Sequence, residues 1–363
     1  MRQKRYIQID ILKGIGILMV LINHSNNYVY SSDLFFKLSR SCVQILVFCA
    51  GINAFIKLST IFSTERGEDI THILWVKFWK PKILSIFIPY IVFTAGFLFL
   101  WKKELDLYTL WQYIIGFNIS NPVYFVPLYI QLILVAPVIY YLVCRCRTGL
   151  LRCMLAIFAF PVCLGFLKFT YMLPIYGAGQ YFMGGTYGWV FIIGMLFGAK
   201  LCNYEQKKAG TNIFEIFPAL GLVLVWISSL KMAPDMHMKL EQIFGGGNPP
   251  GLDSMAEGFL LIWLIWILVS YLQTSVAKFS KRWSNPLVLC GKYSLYIFLW
   301  HMFIKAAMNQ VIAIAELPGQ SILYGIPFYL GSTVGVIFAK KLVDRLKQDI
   351  SKMYLSRKEG YNI

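Results

Sequence analysis

Apolar runs of about twenty residues, the length that crosses a hydrocarbon core, recur along the chain between charges and Gly/Pro clusters. The pattern predicts ten helices, near residues 9–28, 40–58, 83–101, 123–143, 151–168, 182–200, 213–230, 255–276, 287–307 and 318–340. The first run differs from the others. From Asp10 to His24 it places a lysine, Lys13, and an imidazole, His24, inside an apolar span, where a central ionisable group costs roughly 2.5–3.5 kcal/mol on insertion scales. At about 100° per residue, the steps from Lys13 to His24 bring a helix back to within roughly 20° of its starting direction, so both side chains share a face over a rise of roughly 16 Å. Asp10 falls one helical turn before Lys13, close enough to pair with it and lower the cost of burial.

Composition fixes the class. In 363 residues, 58% are hydrophobic, 17% aromatic and only 14% charged, outside the usual range of a soluble globular chain. The expectation is an all-α polytopic membrane bundle, with a transmembrane domain over residues 1–340 and a basic tail over 341–363. The formal charge of +17 would suggest nucleic acid in a soluble protein. Here it follows membrane topology instead. With the N-terminus inside, the inner segments collect Arg2, Lys4 and Arg5, the stretch from Lys57 to Lys82, Arg145 to Arg152, Lys200 to Lys208, Lys278 to Arg282 and the tail. The outer segments keep fewer, among them Lys102, Lys103, Lys168 and Lys305. That bias puts both termini in the cytoplasm and makes a nucleic-acid partner unnecessary. The tail from Lys340 to Tyr354 spaces apolar residues at helical intervals among basic ones, which suits a helix on anionic membrane lipids.

The eight cysteines form no C-x-x-C pair and no zinc spacing, so they read as free thiols, and no metal site is expected. The first apolar run is too long for a cleavable signal peptide and lacks a small-x-small cleavage site. The outward segments carry Trp111, Tyr113, Asn118 and Asn121, then Tyr171, Tyr176, Gln180, Tyr181 and Tyr187. Aromatic faces with amides suit a sugar ring, and an interfacial aromatic belt has the same composition. The run Gly245-Gly-Gly-Asn-Pro-Pro-Gly251 lacks the Gly-Lys-Ser/Thr ending of a phosphate loop.

Four stretches together carry a family resemblance. Lys13 and His24 stand at the spacing of a basic residue, ten intervening residues and a histidine. Ser41-Cys-Val-Gln44 leads to Phe48-Cys-Ala-Gly51; Lys77-Phe-Trp-Lys80-Pro-Lys82 leads to Ile88-Pro-Tyr90; and Gly291-Lys-Tyr-Ser294 leads to His301. Weaker echoes are Tyr124-Phe-Val-Pro127 with Gln131, and Gly194-Met-Leu-Phe-Gly198. In this order the chain resembles the acyltransferase-3 family of membrane O-acyltransferases, in a form without a soluble esterase-like domain. Lys13 stands where the family usually has arginine, keeping the charge without the planar fork. Ala50 stands where serine is usual.

The resemblance implies an acyl-CoA donor, mostly acetyl-CoA, an extracytoplasmic glycan or lipid-linked saccharide as acceptor, and a place in the bacterial inner (plasma) membrane. It implies no permanently bound cofactor. His24 is the candidate base, with Lys13 beside it on α-helical spacing; the bland alternative is an interhelical hydrogen bond. His301 completes the site, orients the acceptor, or pairs across helices. Lys77, Lys80, Lys82 and Lys292 are candidates for the phosphates of coenzyme A, as lysines serve well as point charges there, although positive-inside bias places lysines at these positions in any case. Asp10, Gln44 and Ser294 are expected in support. His72 and His237 fall in predicted loops, and Asp253 with Glu257 marks a helix start. A proton-coupled secondary transporter or flippase using Lys13 and His24 is the alternative function; it calls for interrupted helices in matched halves, and Gly14 and Gly16 have no matched partner in the sequence.

Overall fold

The computed structural model describes residues 6–25, 39–64, 69–102, 106–172, 181–204, 248–275, 285–317 and 321–360. The expected helix 213–230, His237, Tyr176, Gln180 and residues 245–247 lie outside the described residues. Among the described residues the regular structure is helical, with no strand. We number the helices α1 (Ile7–His24), α2 (Cys42–Thr64), α3 (Ile70–Trp101), α4 (Leu107–Gly116), α5 (Phe125–Arg145), α6 (Gly149–Met172), α7 (Thr186–Tyr204), α8 (Leu252–Ser275), α9 (Pro286–Lys292), α10 (Ser294–Ile314) and α11 (325–360). Eight of these, all but α4, α7 and α9, are long and apolar enough to cross a membrane.

In lipid, helices gain little by burying apolar surface against one another, so association relies on close packing through small residues. Two glycine crossings show this. A Cβ on Gly14 of α1 would overlap the Leu287 carbonyl of α9, and one on Gly291 would overlap the Asp10 carbonyl of α1. In the same way Gly51 of α2 faces the Phe191 carbonyl, while Gly194 of α7 faces that of Phe48. The buried polar side chain of Gln44 ties α2 to α8, donating from Nε2 to the Ser254 carbonyl at 3.0 Å and to its hydroxyl at 2.9 Å. Helices α1 and α2 form the buried centre; α6 and α11 expose most of their surface.

The structure moves several expected boundaries. Helix α3 begins at Ile70 rather than near 83, so His72, Lys77 and Lys80 lie on a helix and not in a loop. Asp69 caps it, accepting from the Thr71 backbone N–H at 2.9 Å, and the Thr71 hydrogen bonds hold its carboxyl below the usual range. Pro81 does not end this helix, because a π-turn over Trp75–Trp79, with the Lys80 N–H reaching back to the Trp75 carbonyl, makes room just before the ring. The expected loop 102–122 contains α4, capped by Asp106 at 2.8 Å from the Thr109 N–H. The Tyr90 hydroxyl donates to the Tyr113 carbonyl at 2.8 Å and holds α4 to α3. Leu107, Tyr108, Trp111 and Ile115 remain exposed on α4, a face suited to the membrane interface rather than to a sugar.

The expected helix 287–307 is broken at Tyr293 (φ −103°, ψ 14°) into α9 and α10. The last helix does not stop near 340: Val336–Gly360 continues it through the basic tail, with Lys340 paired to Asp344 and lying over the Tyr296 ring at 4.8 Å. Of the tyrosines from Tyr171 to Tyr187, Tyr181 and Tyr187 have structural partners. Tyr181 donates to the Asn248 carbonyl at 2.9 Å, and the Tyr187 hydroxyl to Asn248 Oδ1 at 3.0 Å.

If the glycine crossings set the bundle, Gly291→Leu forces α9 off α1 and costs on the order of 3 kcal/mol. The variant should melt well below wild type in detergent by fluorescence thermal shift, whereas Gly165→Leu, at a position with nothing within 4 Å of its Cβ, should melt with it.

Candidate active site

The crossing of α1 and α9 opens beside itself a cavity of about 500 Å³. Its wall takes Asp10 and Lys13 from α1, Asn53 and Lys57 from α2, Lys82 and Ser85 from α3, Phe125 and Tyr129 from α5, Gly291 and Lys292 from α9, and Ser294 and Phe298 from α10. Among the described residues, four lysines converge there against the single carboxylate of Asp10, so the chamber suits an anionic ligand. Asn53 and Lys57, one turn apart on α2, escape the sequence reading because Lys57 is already explained as an orienting charge. The stripe Leu46, Ala50, Asn53, Lys57 is the signal that contains them, since these positions share one helical face.

The histidines meet elsewhere. His24, in the last turn of α1, lies with its ring centroid 5.1 Å from that of His301 in α10, the planes 40° apart. His301 is fully buried, and its Nδ1 stands 2.6 Å from the Phe298 carbonyl in the same helix. A carbonyl only accepts, so Nδ1 carries the proton and Nε2 presents a lone pair. Among the described residues, that buried Nε2 has no hydrogen-bond partner. The end of α1 is closed by two contacts: Lys305 of α10 donates from Nζ to the His24 carbonyl at 2.6 Å, and the Ser25 hydroxyl lies 2.7 Å from that of Tyr329 in α11.

Lys13 and His24 therefore occupy different compartments of the same helix. Lys13 lines the basic cavity, and His24 lies toward the opposite end of α1. Phe298 is the link between them, since it lines the cavity, stands 4.9 Å from Phe125 by ring centroids, and stands 5.9 Å from His301. Of the other expected residues, Asp10, Lys82, Lys292 and Ser294 line the cavity, whereas Lys77 and Lys80 lie exposed on α3 away from it. Gln44 is in the α2–α8 contact and is not on the cavity wall. Among the described residues no cluster of His, Cys, Asp and Glu is suited to a metal ion, and the eight cysteines form no disulfide.

No curated protein and no solved structure matches this chain. The acyltransferase-3 family, described as an acyltransferase domain, matches it over residues 6–341, a stretch that takes in both the basic cavity and the histidine pair. The chain thus belongs to the acyltransferase-3 family and is a multi-pass membrane acyltransferase.

Proposed function

We propose that the protein is an O-acyltransferase of the bacterial inner membrane that moves an acyl group, acetyl in the simplest case, from cytoplasmic acyl-CoA to a hydroxyl of an extracytoplasmic or lipid-linked saccharide. The observation that carries this reading is the arrangement of the site: lysines from α1, α2, α3 and α9 gathered around one cavity, and a histidine pair from α1 and α10 at another level of the bundle. Lys13, Lys57, Lys82 and Lys292 hold the phosphates of the donor. Its thioester end extends past Phe298 toward the histidines. The closely spaced rings of Phe125 and Phe298 favour a short acyl group on that path.

In the transfer step the acceptor oxygen attacks the thioester carbonyl while His24, the less buried of the two rings, takes the hydroxyl proton. The new C–O bond forms, the C–S bond breaks, and the proton passes to the departing thiolate. His301 serves as the neutral neighbour, with Nδ1 held by Phe298 and the Nε2 lone pair available as an acceptor for protonated His24. Both termini lie in the cytoplasm in this scheme, in keeping with the distribution of basic residues.

The test is transfer of radiolabelled acetyl-CoA to crude cell-envelope glycan by purified protein in liposomes. His24→Ala should reduce labelling by about 100-fold or more while donor binding, followed by calorimetry, is retained. Transfer that survives this substitution would remove His24 from the chemistry. Lys82→Ala should raise the donor KM about tenfold with little change in kcat, and an unchanged KM would exclude the basic cavity as the donor site. Phe298→Ala leaves the carbonyl that orients His301 in place and should allow transfer from butyryl-CoA. Equal exclusion of butyryl by both proteins would show that the ring does not limit chain length. Solute uptake driven by a proton gradient, without donor consumption, would support a carrier instead.

A further inference from the structure

The last turn of an α-helix leaves carbonyl oxygens without intrahelical donors, and in a hydrocarbon environment each needs a partner. On α1 this turn carries His24. Ser25 serves the Ile22 carbonyl twice, from its N–H at 3.1 Å and its hydroxyl at 2.9 Å. The His24 carbonyl is served by the half-buried Lys305 at 2.6 Å. Lys305 follows His301 by four residues on α10, so both project from one face of that helix. One segment of α10 thus presents a buried imidazole to the His24 ring and, one turn further on, an ammonium to the His24 backbone. A lysine at a helix C-terminus also meets the negative end of the helix dipole.

We propose that Lys305 is the positioning residue of the histidine pair: by holding the terminal carbonyl of α1 it fixes the His24 ring against His301. The role rests on the reading of the histidine pair as the reacting centre, but the geometry it describes is testable without any acyl donor. An apolar side chain at 305 removes the Lys305 donor from the His24 carbonyl and frees the last turn of α1 to fray. Arginine keeps a donor long enough to reach the same oxygen. His301 is oriented by its own helix through Phe298.

The experiment is carbethoxylation of the intact protein in liposomes by diethylpyrocarbonate, with modification of His24 and His301 followed separately by mass spectrometry. In Lys305→Met, His24 should react about threefold faster or more, because local fraying exposes it, while His301 reacts as in wild type. Lys305→Arg should restore the wild-type His24 rate. In the transfer assay, Lys305→Met should lower kcat about tenfold through misplacement of His24, with the donor KM unchanged, and Lys305→Arg should recover most of that loss. An unchanged His24 rate in Lys305→Met would overturn the proposal. So would an equal rise at His301, which means general loosening, or failure of Lys305→Arg to restore the His24 rate. If wild type transfers no acyl group, the proposed function fails while the modification rates still decide whether Lys305 places His24.

Discussion

The architecture depends on backbone approaching backbone. Between helices in lipid, apolar burial offers little preference for one packing over another, and what remains is close contact and the satisfaction of polar groups. Gly14 against Leu287 and Gly291 against Asp10 bring α9 onto α1 closer than any side chain would allow. The seating of α9 fixes where α10 begins, and α10 then carries Ser294, Phe298, His301 and Lys305 in succession along the bundle. The second crossing, Gly51 with Gly194, holds α2 so that Asn53 and Lys57 complete the cavity wall. Positions of charged groups in the interior are thus secondary to contacts that involve no charge.

Gathering several half-buried lysines around one cavity is costly without an anion to face them. Asp10 offsets part of this, lying one turn from Lys13 at the same wall. The excess positive charge is a standing preference for an anionic occupant, which accords with a phosphate-bearing donor. The histidine pair is set apart from that field by the aromatic rings of Phe125 and Phe298. In the proposed reaction, separation of this kind lets donor binding and proton transfer meet different requirements.

Much of this was legible in the sequence. The span pattern gave the helical membrane class, and Lys13 and His24 stood out because ionisable groups in an apolar run need a reason. Periodicity showed that they share a face of α1, but it does not say what faces each, and their partners come from α2, α3 and α10. Lys57 and Lys305 are hidden because membrane orientation already accounts for both, Lys57 as an inner charge and Lys305 as an outer one. The start of α3 was masked by Pro81, whose effect is absorbed by a π-turn that has no sequence signature. The break falls at Tyr293, two residues after Gly291, whose close approach to Asp10 seats α9 on α1. Lys77 and Lys80 match the same motif as Lys82, yet helical rotation turns them away from the cavity.

The two histidines are held in different ways. His301 takes its orientation from a carbonyl three residues back in its own helix, so relative movement of the helices leaves its tautomer unchanged. His24 sits on a helix end tied to other segments through Lys305 and, by way of Ser25, Tyr329. One ring is held within its own helix and the other by contacts between helices. Relative movement of the helices therefore reaches the His24 ring through these ties and leaves the chemical identity of the buried partner unchanged.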